Sequence, residues 1–531
     1  MDPAFAVVGD LGGAAEKLGV VAAAGATAAS LMVLRPRLRA ASIACALVVT
    51  AVVLVGHIWN NPQFRSISGD ALLFGGLAVC ALGVVGLLAA LFLRRPDLFP
   101  LLAVVALPFR VPIEAGGSTS NLLVPLYLVI AAAAIAQIVR ELRSSEEPHP
   151  QGGFVRMLEF AFATFIVLYA LQSLYSRDFD TALEQMVFFY VPFALLFKLL
   201  TNVTWSRSLL LRCGAALVLM ALVFSVIGFA EYERRELFWN PKVIHSNQFE
   251  SYFRVNSVFW DPNVFGRFLA MVMVMVAAVM LWCRRGRDVL LLALVLAVLW
   301  GGLILTFSQS SIASLLAGLA VLAALRWNPR RALVASAVGV CLAAACVVLF
   351  QDALNVRLGS SSGLNKATSG RTDLVEGGVN LFADRPLWGY GSGSFARTFR
   401  QERKGNQEQA VSASHTLPIT VAAEQGLIGF AAYLFILVAS VRLLVSRSWG
   451  AASGARDPPG EQAVAERAAA TALTGAFAAL VVHTMMYAAF LEDPFTWMIL
   501  GTAAALPALA RRAEAPERPR PSAIEPASAA A

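Results

Sequence analysis

Charge is scarce in this chain. Only 14% of its 531 residues are Asp, Glu, Lys or Arg, against 58% apolar, a balance that excludes an ordinary soluble domain and a disordered chain. Cysteine is also scarce. All six, Cys45, Cys80, Cys213, Cys283, Cys341 and Cys346, lie within or at the ends of apolar runs, where they read as small buried hydrophobes rather than as disulfides or metal ligands. The first 17 residues lack the basic start and apolar core of a cleavable signal, so insertion is expected to rest on the first apolar segments. No internal repeat of fixed period and no inverted pair of broken helices stands out. The net charge of +8 does not point to nucleic acid, because Arg and Lys fall in short clusters between apolar runs.

What remains is apolar sequence, enough for about fifteen bilayer-crossing helices of 20 residues each. Apolar segments fall at 18–34, 40–58, 71–93, 98–113, 121–139, 158–175, 186–201, 208–229, 263–283, 288–306, 308–325, 332–350, 419–445, 468–486 and 494–510. Isolated strands cannot satisfy their backbone in lipid, so these are read as helices. The expected fold is all-α, a polytopic transmembrane bundle of about 13–15 spans with a large external loop containing short helices. The weakest segments are 98–113, with Pro100, Pro108 and Pro112, and 18–34, rich in Ala and Gly.

Basic clusters fall on alternate connections, at Arg35/Arg37/Arg39, Arg94/Arg95, Arg140/Arg143/Arg156, Arg207, Arg284/Arg285/Arg287, Arg326/Arg330/Arg331, Arg442/Arg447/Arg456 and Arg511/Arg512, which marks those connections as cytoplasmic. The organisation is then helices over 1–229, an external loop at 230–262, helices over 263–350, a large external loop at 351–418, helices over 419–510 and a disordered cytoplasmic tail at 511–531. Two long external loops are where function is expected.

Four constellations sit on that external side. In the first, Arg254 lies among aromatics before Asp261-Pro262-Asn263, with Arg267 in the next helix. Arg254 suits either a phosphate-binding fork or a snorkelling anchor, and Asp261 and Asn263 read equally as helix caps and as ligands. In the second, Ser308 and Gln309 lie in the tight turn Thr306 to Ser311, where capping and headgroup binding are equal alternatives. The third opens with Gly370-Arg371 on a helix over 371–383, ended by Asp384-Arg385-Pro386 and followed by Gly389, Gly391 and Gly393 in an expected flexible turn. An Arg at a helix N-terminus opposes the helix dipole, and a bound phosphate would offset that. The fourth is Ser414-His415, with Glu424-Gln425-Gly426 beyond it; His415 suits a general base, and a carboxylate at Glu424 is costly in a span unless paired. His245 and His483 read as structural.

Ser414-His415 followed by Ala423 to Gly429, preceded by Gly370-Arg371 and Pro386 to Gly391, resembles the O-antigen ligase and polymerase superfamily of bacterial envelope enzymes, over roughly 250–445. The resemblance implies a metal-independent glycosyltransferase without cofactor, multi-pass in the bacterial cytoplasmic (inner) membrane and acting at its outer face. Its donor would be an undecaprenyl-diphosphate-linked glycan, and its acceptor a hydroxyl of a glycolipid, glycan or protein. On the family's motifs, Arg254 and Arg371 would hold the diphosphate and His415 would activate the acceptor. Arg267, Asp261, Asn263, Gln309, Ser308, Arg385 and Glu424 would complete the substrate site. Relatives often carry Ser-Arg where this chain has Ser308-Gln309, so one positive charge is absent here. A repeat-unit polymerase is the alternative within the superfamily. A lipid-linked glycan flippase is the alternative outside it, but it would place charge along a mid-membrane path, and Lys198 is the main such residue.

Overall fold

A computed structural model of the chain describes residues 13–58, 71–115, 118–144, 152–238, 253–327, 330, 334, 371–402, 416–448, 460–487 and 489–506. Among them are sixteen helices and one two-stranded hairpin. The helices are α1 (Gly13–Met32), α2 (Pro36–Ile58), α3 (Ala71–Arg94), α4 (Leu98–Ala106), α5 (Val124–Arg143), α6 (Gly153–Ser173), α7 (Phe179–Thr201), α8 (Arg207–Arg234), α9 (Pro262–Met280), α10 (Gly286–Leu305), α11 (Gln309–Arg326), α12 (Arg371–Asp384), α13 (Phe395–Glu402), α14 (Leu417–Ser448), α15 (Glu461–Thr484) and α16 (Pro494–Ala505). Thirteen of the fifteen apolar segments lie essentially on these helices; 98–113 is divided between α4 and a strand, and 332–350 falls, apart from residue 334, outside the described residues, as does the tail 511–531.

Ten helices, α2, α5 to α11, α14 and α15, are long and apolar enough to cross a membrane, so the chain is an all-α polytopic bundle. Two expected spans are shorter than a bilayer. Helix α4 has nine residues, about 14 Å of rise. The chain then passes Pro108 into the antiparallel strands β1 (Val111–Ala115) and β2 (Ser118–Leu122), in register from Val111 opposite Leu122 to Ala115 opposite Ser118. Pro112 can sit in such an edge pair but not inside a helix. Helix α16, of 12 residues, reaches about 18 Å.

The helices run alternately up and down. At one end, here the basic end, Arg140 donates to the Phe92 carbonyl, Arg39 pairs with Glu141, and Glu159 accepts both Arg156 and Lys198. Lys198 does not snorkel outward: it is 3% exposed and held by Glu159. At the opposite end, the site end, Lys17 of α1 donates to the Leu174 carbonyl beyond α6. Small residues let α9, α11 and α15 approach closely: a Cβ on Gly318 would lie 2.5 Å from Val274, and one on Gly475 2.8 Å from Leu322.

Two helices depart from ideal geometry. Within α7, Met186–Tyr190 forms a π turn in which the Val191 N–H reaches back five residues to the Met186 carbonyl, just before Pro192, which has no N–H to give. In α14 the helix breaks at Gly426, with φ 63° and ψ −163°.

Candidate functional site

The first cluster grows from the stretch before α9. Asp261 takes extended backbone geometry and caps α9, its Oδ1 accepting the N–H groups of Asn263 (2.6 Å) and Val264 (3.3 Å). Pro262 then occupies the first turn, where its missing N–H costs nothing. Asn263, freed from capping, accepts Arg254 Nη2 on its Oδ1 at 3.0 Å, while Arg254 Nε donates to the Thr306 carbonyl at 3.0 Å. The guanidinium is thereby oriented from two sides by groups on α9 and on the turn after α10.

That turn is itself tied down. The Val255 N–H bonds the Leu305 carbonyl, Ser308 caps α11 through Ser311 N, and Ser311 Oγ donates to the Asn263 carbonyl. Ser308 is buried and Gln309 is exposed at the helix start. Ser310 Oγ lies 3.3 Å from Nε2 of the fully buried His483. Ser308 thus caps α11, while Phe307 and Gln309 are the exposed members of the turn.

Arg267 sits deeper. Its guanidinium forms a 2.6 Å ion pair with Asp493, both side chains at most 4% exposed, and donates to the Ala489 carbonyl. Asp493 also caps α16 through Phe495 N at 2.9 Å. Arg110, between α4 and β1, completes this group: it lines the same small cavity as Arg267 and Asp493, and its guanidinium lies 5.8 Å from the Trp260 ring. Burial lowers the Arg110 pKa from the usual arginine value, an effect that Asp493 opposes. Tyr487 hydrogen-bonds Asp261, and burial, reinforced by that carboxylate, pushes its phenol well above the usual range.

The second cluster is the glycine-rich segment between α12 and α13. It is not a flexible turn. Gly389 takes φ +65°, and a Cβ there would fall 2.2 Å from the Glu424 carbonyl oxygen; a Cβ on Gly426 would fall 2.4 Å from the Leu387 carbonyl. The two backbones interlock: Leu427 N–H donates to Pro386 O at 2.7 Å, Tyr390 N–H to Ala423 O, and Gly391 N–H to Glu424 O. The break at Gly426 thus exchanges bonds along α14 for bonds across to the segment. Glu424 completes the clamp, its two carboxylate oxygens accepting Gly393 N and Phe395 N, each at 2.9 Å. Neighbour-wise, Glu424 is spent on fixing this segment and starting α13. The Tyr390 ring has Arg177 and Arg385 guanidinium groups each 4.6 Å from its centroid, and an open cavity of about 470 Å³ is lined by Tyr175, Arg385, Leu387 and Trp388.

Of the residues expected from sequence, Arg254, Asp261, Asn263 and Ser308 meet in one bonded network with Arg267 close by, while Glu424 and Arg385 belong to the glycine-rich segment at the same end of the bundle. Arg371 is the first residue of α12, its side chain outside the described part, and His415 lies outside the described residues. Two contributors escape a reading of local motifs: Arg110 and Asp493. Asp493-Pro494 repeats the Asp261-Pro262 capping signature, which was the available signal. A family model described as O-Antigen ligase matches residues 292–434, spanning Ser308, Gln309, Arg371, Arg385, His415 and Glu424. No curated protein matches the chain.

Proposed function

We propose that this chain, a multi-pass membrane protein carrying an O-antigen ligase superfamily domain, transfers a glycan from undecaprenyl diphosphate to an acceptor hydroxyl at the outer face of the bacterial inner membrane. The observation that carries this reading is the bonded frame around Arg254, at the end of the bundle opposite the basic connections and beside the family-matched turn Thr306 to Ser311. In the proposed reaction His415 takes the proton of the acceptor hydroxyl as its oxygen bonds the anomeric carbon of the donor. The bond from that carbon to the diphosphate breaks, and the leaving undecaprenyl diphosphate keeps the electron pair. Fixed guanidinium groups of Arg254 and Arg371 favour that departure, because charge on the diphosphate grows in the transition state.

Arg267 is assigned a supporting share of the positive field, moderated by Asp493, and Arg385 lies at the mouth of the aromatic cavity. Asn263 and Asp261 hold the frame, and with Gln309 where relatives often carry an arginine, diphosphate binding is left to Arg254 and Arg371, helped by Arg267 or Arg385. The test is a reconstituted transfer assay in chelator-treated buffer, with undecaprenyl-diphosphate oligosaccharides and candidate acceptors, for wild type and His415→Ala. Release of undecaprenyl diphosphate by wild type and its loss in the variant is the expected result, and product length separates ligase from polymerase. Movement of intact donor between leaflets by both proteins would replace the transferase reading with a flippase.

A further inference from the structure

Glu231 is an unusual carboxylate. It lies in the last turn of α8, where the helix dipole disfavours negative charge, and it is fully buried. Both costs are offset by backbone donors from elsewhere in the chain. Its Oε2 accepts Asn256 N at 3.2 Å and Ser257 N at 2.8 Å, and its Oε1 accepts Phe238 N at 3.4 Å. Two successive N–H groups converging on one anionic oxygen form an anion nest, and the conformation this needs is visible at Ser257, whose φ is +52°. The nest begins two residues after Arg254. Val255, between them, is fully buried and bonded to the Leu305 carbonyl, and its side chain packs against α8, where a Cβ on Gly228 would stand 3.3 Å from it.

We infer that Glu231 is a positioning residue for Arg254: its carboxylate fills the nest of Asn256 and Ser257 and so fixes the backbone from which the guanidinium reaches Asn263 and Thr306. Without that anion the two N–H groups lose their partner, Ser257 is left at positive φ with the turn bond from Phe259 N–H to the Asn256 carbonyl to hold it, and the stretch 254–257 loosens. The functional half of this inference rests on the proposed role of Arg254 in binding diphosphate; the structural half does not.

The experiment uses the full chain in nanodiscs, with undecaprenyl diphosphate as the binding probe, for wild type, Glu231→Leu, Glu231→Gln, Arg254→Ala and the double variant Glu231→Leu/Arg254→Ala. Glu231→Leu and Arg254→Ala are each expected to weaken binding by about tenfold or more, and the double variant by no more than about twofold beyond the weaker single, since residues acting through one group are not additive. Glu231→Gln, whose amide oxygen can still accept both nest N–H groups, should recover most of the loss. Hydrogen exchange of the peptide 253–263 should quicken in Glu231→Leu while peptides of α14 stay unchanged. Should Glu231→Leu not fold, Ser257→Pro removes one nest donor and the positive φ, and is expected to reproduce both effects. Multiplying losses in the double variant, or unchanged exchange at 253–263, would overturn the inference. If Arg254→Ala binds like wild type, the donor role of Arg254 falls, and the exchange measurement alone then decides whether Glu231 holds the turn.

Discussion

At the basic end of the bundle Glu159 accepts Lys198 and Arg156, and Glu141 accepts Arg39, so side-chain charge meets side-chain charge. At the site end Glu231, Asp261 and Glu424 give their oxygens to backbone N–H groups, and Arg254 takes a backbone carbonyl and an amide. Asp493 does both, pairing with Arg267 while capping α16. The same residue types thus serve two ends. In the first they join helices by ion pairs; in the second they set the shape of loops, and it is loop shape that aims a guanidinium.

The comparison can be broken most forcefully at the basic end. Lys198→Met takes from the buried Glu159 carboxylate the lysine that pairs with it, and is expected to cost about 3–5 kcal/mol in denaturant unfolding, with transfer activity per folded molecule retained. Replacing both, as Lys198→Met/Glu159→Met, should restore most of that loss; a double variant as unstable as the single would mean the pair is not what joins α6 to α7. At the site end, Gly426→Ala forces a Cβ into the Leu387 carbonyl at positive φ and should cost at least about 2 kcal/mol, seen as early proteolytic cleavage in 386–394 together with lost activity.

A smaller effect sharpens the contrast by its sign. Burial raises the Glu492 carboxyl from the usual carboxylate range, and one of its oxygens lacks a partner among the described residues. Because the folded pKa is raised, its favourable contribution is complete below the unfolded value and is lost as pH rises through the folded one. Glu492→Gln should therefore raise the melting temperature at pH 8, and the gain should fade towards pH 4. The smallest effect belongs to Arg177→Ala. Its pair with Glu402 is 30% and 41% exposed, so unfolding should shift by less than about 1 kcal/mol, and a larger shift would give the site end an ion-pair contribution like that of the other.

Much of the fold was legible because apolar length and basic clusters are local signals: nearly every apolar segment is a helix. The departures have local causes too, as with the prolines that cut 98–113 into a short helix and a hairpin. The site was legible only where partners are near in sequence, as Arg254 is to Asn263. Arg267 and Asp493 lie more than two hundred positions apart, and Glu231 looks like any helix-end glutamate until the fold brings Asn256 and Ser257 onto it. The glycines at 389, 391 and 393 gave a turn but not its rigidity, because that comes from the backbone of α14 pressed against them.

The π turn at Met186–Tyr190 carries a consequence about counting. It holds one residue more than an α-helix would need there, so everything after it on α7 is offset by about 100° around the axis and 1.5 Å along it. Delete one residue from that stretch and an ordinary α-helix can close there with Lys198 still on the face that meets Glu159, whereas one residue deleted between 191 and 197 turns Lys198 off that face. The same single-codon deletion is thus absorbed within 186–190 but severs the contact when it falls between the π turn and Lys198. In this helix a residue's place is fixed by arithmetic as much as by chemistry.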